Sequence, residues 1–227
     1  MSIVDLKKEG DVFILTMHSG ENRFNRTFIN AMNEALDTVE RSDGPAALVT
    51  IGGEEKFYSN GLDLDWMMGD GMAEAPEFIK SVLKFLGRVM AFPVPTVAAM
   101  NGHAFAAGAM MALAHDFRVM RADRGYFCLP EVDINIPFAP GMTALIKSRL
   151  TPNVFRDLLL TGVRIGGVQA KGLGIVDEAV PADQVLSQAI ACVAPLAGKN
   201  RHTYQAIKRG MYAEALALLE AGITNVP

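Results

Sequence analysis

One stretch constrains the fold of this chain more than any other: residues 95–120, PTVAAMNGHAFAAGAMMALAHDFRVM. Thr96 to Met100 is a short apolar run behind Pro93 and Pro95, which suits a buried strand. Asn101-Gly102 breaks it, and Ala106-Ala107-Gly108 is small enough for another backbone or a ligand to approach closely. Residues 109–114 are apolar on every side, so they predict a helix buried all round. A turn of small residues entering a buried helix aims free N–H groups at one point. Such a point suits an anion or a developing negative charge. Close helix–strand packing would place the same small residues there.

The flanking sequence predicts an α/β fold. Residues 3–7 and 12–17 read as a hairpin around Glu9-Gly10-Asp11. Asn25 is a candidate N-cap for a helix reaching Arg41, with Phe28, Ile29, Met32, Leu36 and Val39 as its apolar stripe. Strands are expected at 46–51, 117–120, 126–129 and 175–180, and helices at 77–91, 141–150, 153–160, 182–196 and 202–221. The last of these carries Ile207, Met211, Ala215, Leu218 and Leu219 on one side. Residues 54–63 are expected to form a loop, 65–68 one helical turn, and 69–76 a loose Gly- and Met-rich flap. Successive β-turn-β-α units with similar apolar strands suggest a spiral rather than a flat doubly wound sheet.

Half of the 227 residues are apolar, enough for one large core with a small C-terminal appendage. A net charge of −4 argues against a nucleic-acid partner, and no apolar run is long enough to span a bilayer. The N-terminus reads as the start of a strand pair rather than a signal peptide. Cys128 and Cys192 supply neither a disulfide framework nor a metal cluster, and no metal-ligand spacing joins His103 to His115. A reducing compartment follows. The expectation is cytoplasmic, or peroxisomal if a C-terminal signal has been lost, because the sequence ends Asn225-Val226-Pro227 rather than Ser-Lys-Leu.

Three segments carry the candidate chemistry. Residues 57–64, FYSNGLDL, follow a strand, and Asn60-Gly61 permits a left-handed turn that exposes N–H groups, although such turns also occur in ordinary loops. With the turn at Ala107, the Asn60 and Ala107 N–H groups could surround one carbonyl oxygen as an oxyanion hole. Glu131, in LPEVDI, is either exposed on its turn or buried with a raised pKa, and in the second case it is a proton-transfer group. Met100, Met110, Met111 and Met120 read first as core, with some available to line an acyl tunnel. His115-Asp116 reads as a helix-end cap, and the 199–209 basic cluster as a solvated face or a phosphate contact.

Taken in order, FYSNGLDL, NGHAFAAGAMMALAHD and LPEVDI resemble the crotonase (enoyl-CoA hydratase/isomerase) superfamily over about residues 4–197. The resemblance implies a crotonase-like spiral of ββα units in residues 1–197. It also implies a helical C-terminal region, 198–227, serving homotrimer formation. It implies acyl-CoA thioester substrates and no cofactor beyond the coenzyme A carried by the substrate. Asn60 and Ala107 would hold the thioester oxygen. Ser59, Gly61, Leu62, Asp63, Leu64, Phe105, Ala106 and Met110 would form the substrate site. Alanine at 107, where the family usually has glycine, resists positive φ.

Hydratases of the family carry two glutamates. Met110 occupies the first place here and Glu131 the second. A thioether cannot activate water, whereas moving a double bond needs only a proton taken from C2 and returned at C4. One carboxylate therefore implies a delta-3, delta-2-enoyl-CoA isomerase of fatty-acid β-oxidation. Asp133 matches no second acid. Other acyl-CoA enolate chemistry (thioester hydrolysis, decarboxylation) and a non-catalytic acyl-CoA-binding protein stay open at this stage. The 69–76 segment and the methionines are expected to shape the acyl pocket.

Overall fold

The computed structural model describes residues 2–224, so Met1 and the C-terminal Asn225, Val226 and Pro227 lie outside the described residues. The hairpin pairs β1 (Val4–Glu9) with β2 (Val12–Met17), and Asn25 caps α1 (Arg26–Arg41) by accepting from Phe28 N–H. The chain continues through β3 (Ala47–Gly52), β4 (Phe57–Ser59), α2 (Leu64–Met68) and α3 (Ala75–Met90). Next come β5 (Thr96–Met100), β6 (His103–Phe105), α4 (Ala107–Ala114), β7 (Phe117–Arg121) and β8 (Phe127–Cys128). Helices α5 (Pro140–Arg149), α6 (Pro152–Thr161) and α7 (Gly167–Gly172) precede β9 (Glu178–Val180). Then follow α8 (Val185–Val193), α9 (Arg201–Met211) and α10 (Ala213–Ala221).

The strands sort into two sheets. The larger has the order β1-β2-β3-β5-β7-β9, parallel except for the first pair, and the smaller is a parallel β4-β6-β8. Each of the pairs β3–β4, β5–β6 and β7–β8 gives one strand to each sheet, so the chain winds as the expected spiral of ββα units. Strand alternation splits the core. Leu48, Ala98, Met100 and Met120 face α1, α3, α4 and α5, while Val49, Val97, Ala99 and Val119 face α8 across the other side.

Three expectations are corrected. The 54–63 loop contains β4, and the turn after Met100 contains β6; each is three residues, too short to show a period. Residues 69–76 are no loose flap. They form a turn and a 3-10 turn (Met72–Glu74) that feeds α3, with Pro76 in its first turn. The long C-terminal helix is broken at Tyr212, and the break rotates its apolar stripe. Ile207 and Met211 are 57% and 65% exposed, while Ala215, Leu216 and Leu219 are buried in the main core. Leu219 sits over two glycines: a Cβ at Gly87 or Gly141 would come 3.3 or 3.0 Å from its side chain. Helix α10 is thus built into the main core, while α9 keeps its apolar residues at the surface.

The basic cluster is only partly a solvated face. Lys208 is buried against Asp116 at 2.8 Å and donates to Phe92 O, and Arg201 donates to Val39 and Glu40 carbonyls at the end of α1. No helix among the described residues is long and apolar enough to cross a membrane.

Candidate active site

The site forms at the C-terminal ends of the three short strands. The first arm leaves β4 at Ser59. Its Oγ donates to Asn22 O at 2.8 Å and accepts from Gly61 N–H at 3.2 Å. Gly61 has φ +79, and a Cβ there would stand 2.9 Å from Ala106 Cβ and 3.0 Å from Ala107 N. Only glycine meets both demands.

On this arm the Asn60 N–H expected from the sequence is not free. Asn60 N–H donates to Glu21 O at 2.9 Å, and Asn60 Nδ2 donates to the Glu21 carboxylate at 2.8 Å, so Asn60 is committed to the scaffold. Two residues on, Leu62 bridges Phe24: Phe24 N–H donates to Gly61 O, and Asp63 N–H donates to Phe24 O. That pattern turns the Leu62 N–H to the opposite side, where it finds no acceptor among the described residues.

The second arm is the start of α4. The Ala107, Gly108 and Ala109 N–H groups open the helix without acceptors among the described residues, and no side chain caps them. Positive φ falls on Ala106 (φ 49, ψ −124), the N-cap, rather than on Ala107, which is helical. Alanine in that region stores about 1–3 kcal/mol of strain. The arms meet backbone to backbone, since a Cβ at Gly108 would lie 2.5 Å from Ser59 O.

Glu131 follows β8 on a turn in which Asp133 and Ile134 N–H groups donate to Pro130 O at 2.9 and 3.1 Å. It is only 6% exposed, and its Oε2 has no hydrogen-bond partner among the described residues. Burial raises its pKa from 4.5 to about 7, partly offset by a hydrogen bond from its own backbone N–H. Of the two alternatives open in the sequence, the structure takes the buried one.

A cavity of about 650 Å³ joins these parts. Asn60, Leu62, Leu64, Phe105, Ala106, Ala107, Met110 and Glu131 all line it. Ser59, Gly61 and Asp63 do not. Ser59 is buried behind the arm, Gly61 is in contact with Ala106, and Asp63 caps α2 by accepting from Trp66 N–H. The 69–76 segment contributes nothing to the wall, while Met67 and Met68 just before it do, as do Met110 and Met142. Met100, Met111 and Met120 are core. Asp133 is exposed and lies against Gly162, outside the cavity.

The apolar wall from Ile79, Ile134 and Ile136 escaped sequence reasoning, as did the ion pair of Arg23 and Asp65 at 2.8 Å. Only the alternation of Ile134 and Ile136 behind Glu131 hinted at any of it. Asp65 and Glu131 are the carboxylates of the wall, and Asp65 is solvated and held by Arg23. Among the described residues Glu131 is therefore the desolvated carboxylate of the wall, in the same cavity that Leu62 and Ala107 line.

Comparison with known proteins gives the family. A profile described as enoyl-CoA hydratase/isomerase matches residues 7–225. The chain is 34% identical to enoyl-CoA delta isomerase 3 of Arabidopsis thaliana, covering 97% of each chain. It is 33% identical to the peroxisomal enoyl-CoA delta isomerase 2 of the same plant, covering 94% of each. The crystal structure of an enoyl-CoA hydratase from Mycobacterium ulcerans Agy99 superposes with a TM-score of 0.89 at 28% identity, over 97% of this chain and 96% of that one. This chain belongs to the enoyl-CoA hydratase/isomerase (crotonase) family.

Proposed function

We propose that the protein moves the double bond of a 3-enoyl-CoA to the 2-trans position, within fatty-acid β-oxidation. The observation that carries this reading is that Glu131 is the one desolvated carboxylate among the described residues lining the cavity, and Met110 occupies the wall where a second acid would serve hydration. Glu131 takes a proton from C2. The negative charge moves onto the thioester oxygen, which the Leu62 and Ala107 N–H groups receive. The protonated Glu131 then returns the proton at C4. Each backbone donor of this kind is worth about 3–4 kcal/mol at the transition state. The raised pKa suits both halves, since the same group must first accept and then give up a proton near neutrality. Coenzyme A enters as part of the substrate, and no resident cofactor is needed for the proton transfers.

Apolar Ile207 and Met211, exposed on α9, support the expected homotrimer, and light scattering tests it. The reducing cytoplasm or the peroxisome is the proposed setting. The test of activity is Glu131→Gln on a panel of 3-enoyl-, 2-enoyl-, 3-hydroxyacyl- and malonyl-CoA esters. Wild type should convert the 3-enoyl ester alone at a substantial rate. The variant should bind that ester and leave it unchanged; full turnover by the variant would sink the assignment.

A further inference from the structure

A buried polar chain lies behind the site, and the proton transfers do not use it. His115 Nδ1 stands 2.8 Å from Met111 O, His115 Nε2 stands 2.9 Å from Thr50 Oγ1, and Thr50 Oγ1 stands 2.8 Å from the Tyr58 hydroxyl. All three side chains are buried. Every proton in the chain is assigned by its ends. The Met111 carbonyl can only accept, so Nδ1 carries the hydrogen. Burial holds the ring neutral, with a pKa lowered to about 4, so Nε2 accepts. Thr50 spends its one proton on Nε2 and must accept from Tyr58, whose pKa is raised by burial.

The ends of this chain are the two arms of the site. Tyr58 belongs to β4, which runs directly into the Leu62 arm. His115 closes α4, whose other end is Ala107. Helix α4 is Ala-Gly-Ala-Met-Met-Ala-Leu-Ala, without a polar side chain, so its own packing is apolar and non-directional. Its entry is strained at Ala106 and has no side-chain cap. The His115 ring therefore gives the helix a directional tie to the sheet, supplemented by Arg118 and Arg149 on the His115 carbonyl. A rigid helix of eight residues, about 12 Å long, passes any displacement at His115 on to the Ala107 N–H.

We propose that Thr50 Oγ1, shared by Tyr58 and His115, sets the separation of the Leu62 and Ala107 N–H groups, so that Thr50, Tyr58 and His115 are positioning residues for the oxyanion. The proposal rests on the isomerase reading only in needing an enolate to be stabilised. Thr50→Val removes the hydroxyl at constant shape, Tyr58→Phe removes the other, and Thr50→Ser keeps it. Both deletions should lower kcat on a 3-enoyl-CoA ~10–100-fold while KM stays within ~3-fold, as expected when donors shift by a fraction of an ångström. Thr50→Ser should recover most of the loss.

A second readout needs no turnover. Acetoacetyl-CoA forms an enolate that absorbs in the near ultraviolet. Both deletions should reduce the bound enolate fraction in parallel with kcat, while affinity for a saturated acyl-CoA is unchanged. Deletions that lower Tm but leave kcat and the enolate signal intact would overturn the proposal, as would equal weakening of saturated acyl-CoA. If Thr50→Val does not fold, Tyr58→Phe decides alone. A wild type that turns over no 3-enoyl-CoA yet enolises acetoacetyl-CoA defeats the isomerase reading and leaves the positioning claim to the enolate comparison. A wild type that does neither defeats both.

Discussion

Glu131→Gln should make the protein more stable at alkaline pH, because keeping a base desolvated costs folding energy. The carboxyl has a pKa of about 7 in the folded chain and of 4.5 when free. Between those values the folded state holds a proton that the unfolded state has released, so stability falls as pH rises through the window. The penalty is absent below about pH 4.5 and complete above about pH 7, and at about 1.4 kcal/mol per pH unit it amounts to about 3 kcal/mol. That is a sizeable part of the 5–15 kcal/mol typical of a domain. Glutamine keeps the shape and does not titrate. Its amide adds an offset that is the same at every pH. Urea unfolding of both proteins between about pH 4.5 and about pH 8 isolates the effect, since all other groups titrate in both. The advantage of the variant should grow by about 3 kcal/mol across that range. A difference flat in pH, or one that moves in favour of the wild type as pH rises, would refute the burial argument.

On the proposed mechanism, in which the base form of Glu131 begins the reaction, the rate of 3-enoyl-CoA conversion should climb as pH passes about 7; a profile flat from about pH 5.5 to 8.5 would exclude it as that base. Lys208→Met should cost about 3–5 kcal/mol in denaturant unfolding by leaving Asp116 buried without its cation, whereas Arg156→Ala, at an exposed pair, should cost less than about 1 kcal/mol. Gly108→Ala puts a methyl 2.5 Å from Ser59 O, so it should part the two arms and reduce kcat ~100-fold or more, a loss that steady-state kinetics on folded protein would register.

What could be read from residues alone followed the length of each element. Helices α1 and α3 show four or more turns of apolar stripe, and β5 is a clean apolar run, so their limits were legible to within about two residues. Strands β4 and β6 hold three residues each and exist because partners distant in the chain pair with them. The helix break at Tyr212 was hidden because both sides favour helix and both carry apolar residues. At the site, residue types pointed to the two turns and to Glu131. Which amide was free did not show, because Asn60 N–H is taken by Glu21 and the Leu62 N–H is turned by Phe24, both long-range contacts. The strain likewise lies on Ala106 and not Ala107, since the conformation of the cap, not the composition of the turn, decides it.

Leu219 has a consequence for synthesis on the ribosome. It comes from the last described helix, yet it packs over Gly87 of α3 and Gly141 of α5, and α5 carries Met142 in the cavity wall. Until α10 emerges, the nascent chain presents an uncovered apolar seam between helices made far earlier. Such a seam invites chaperone capture. Helix α5, which carries Met142 into the cavity wall, is therefore covered late, by a helix that does not line the cavity.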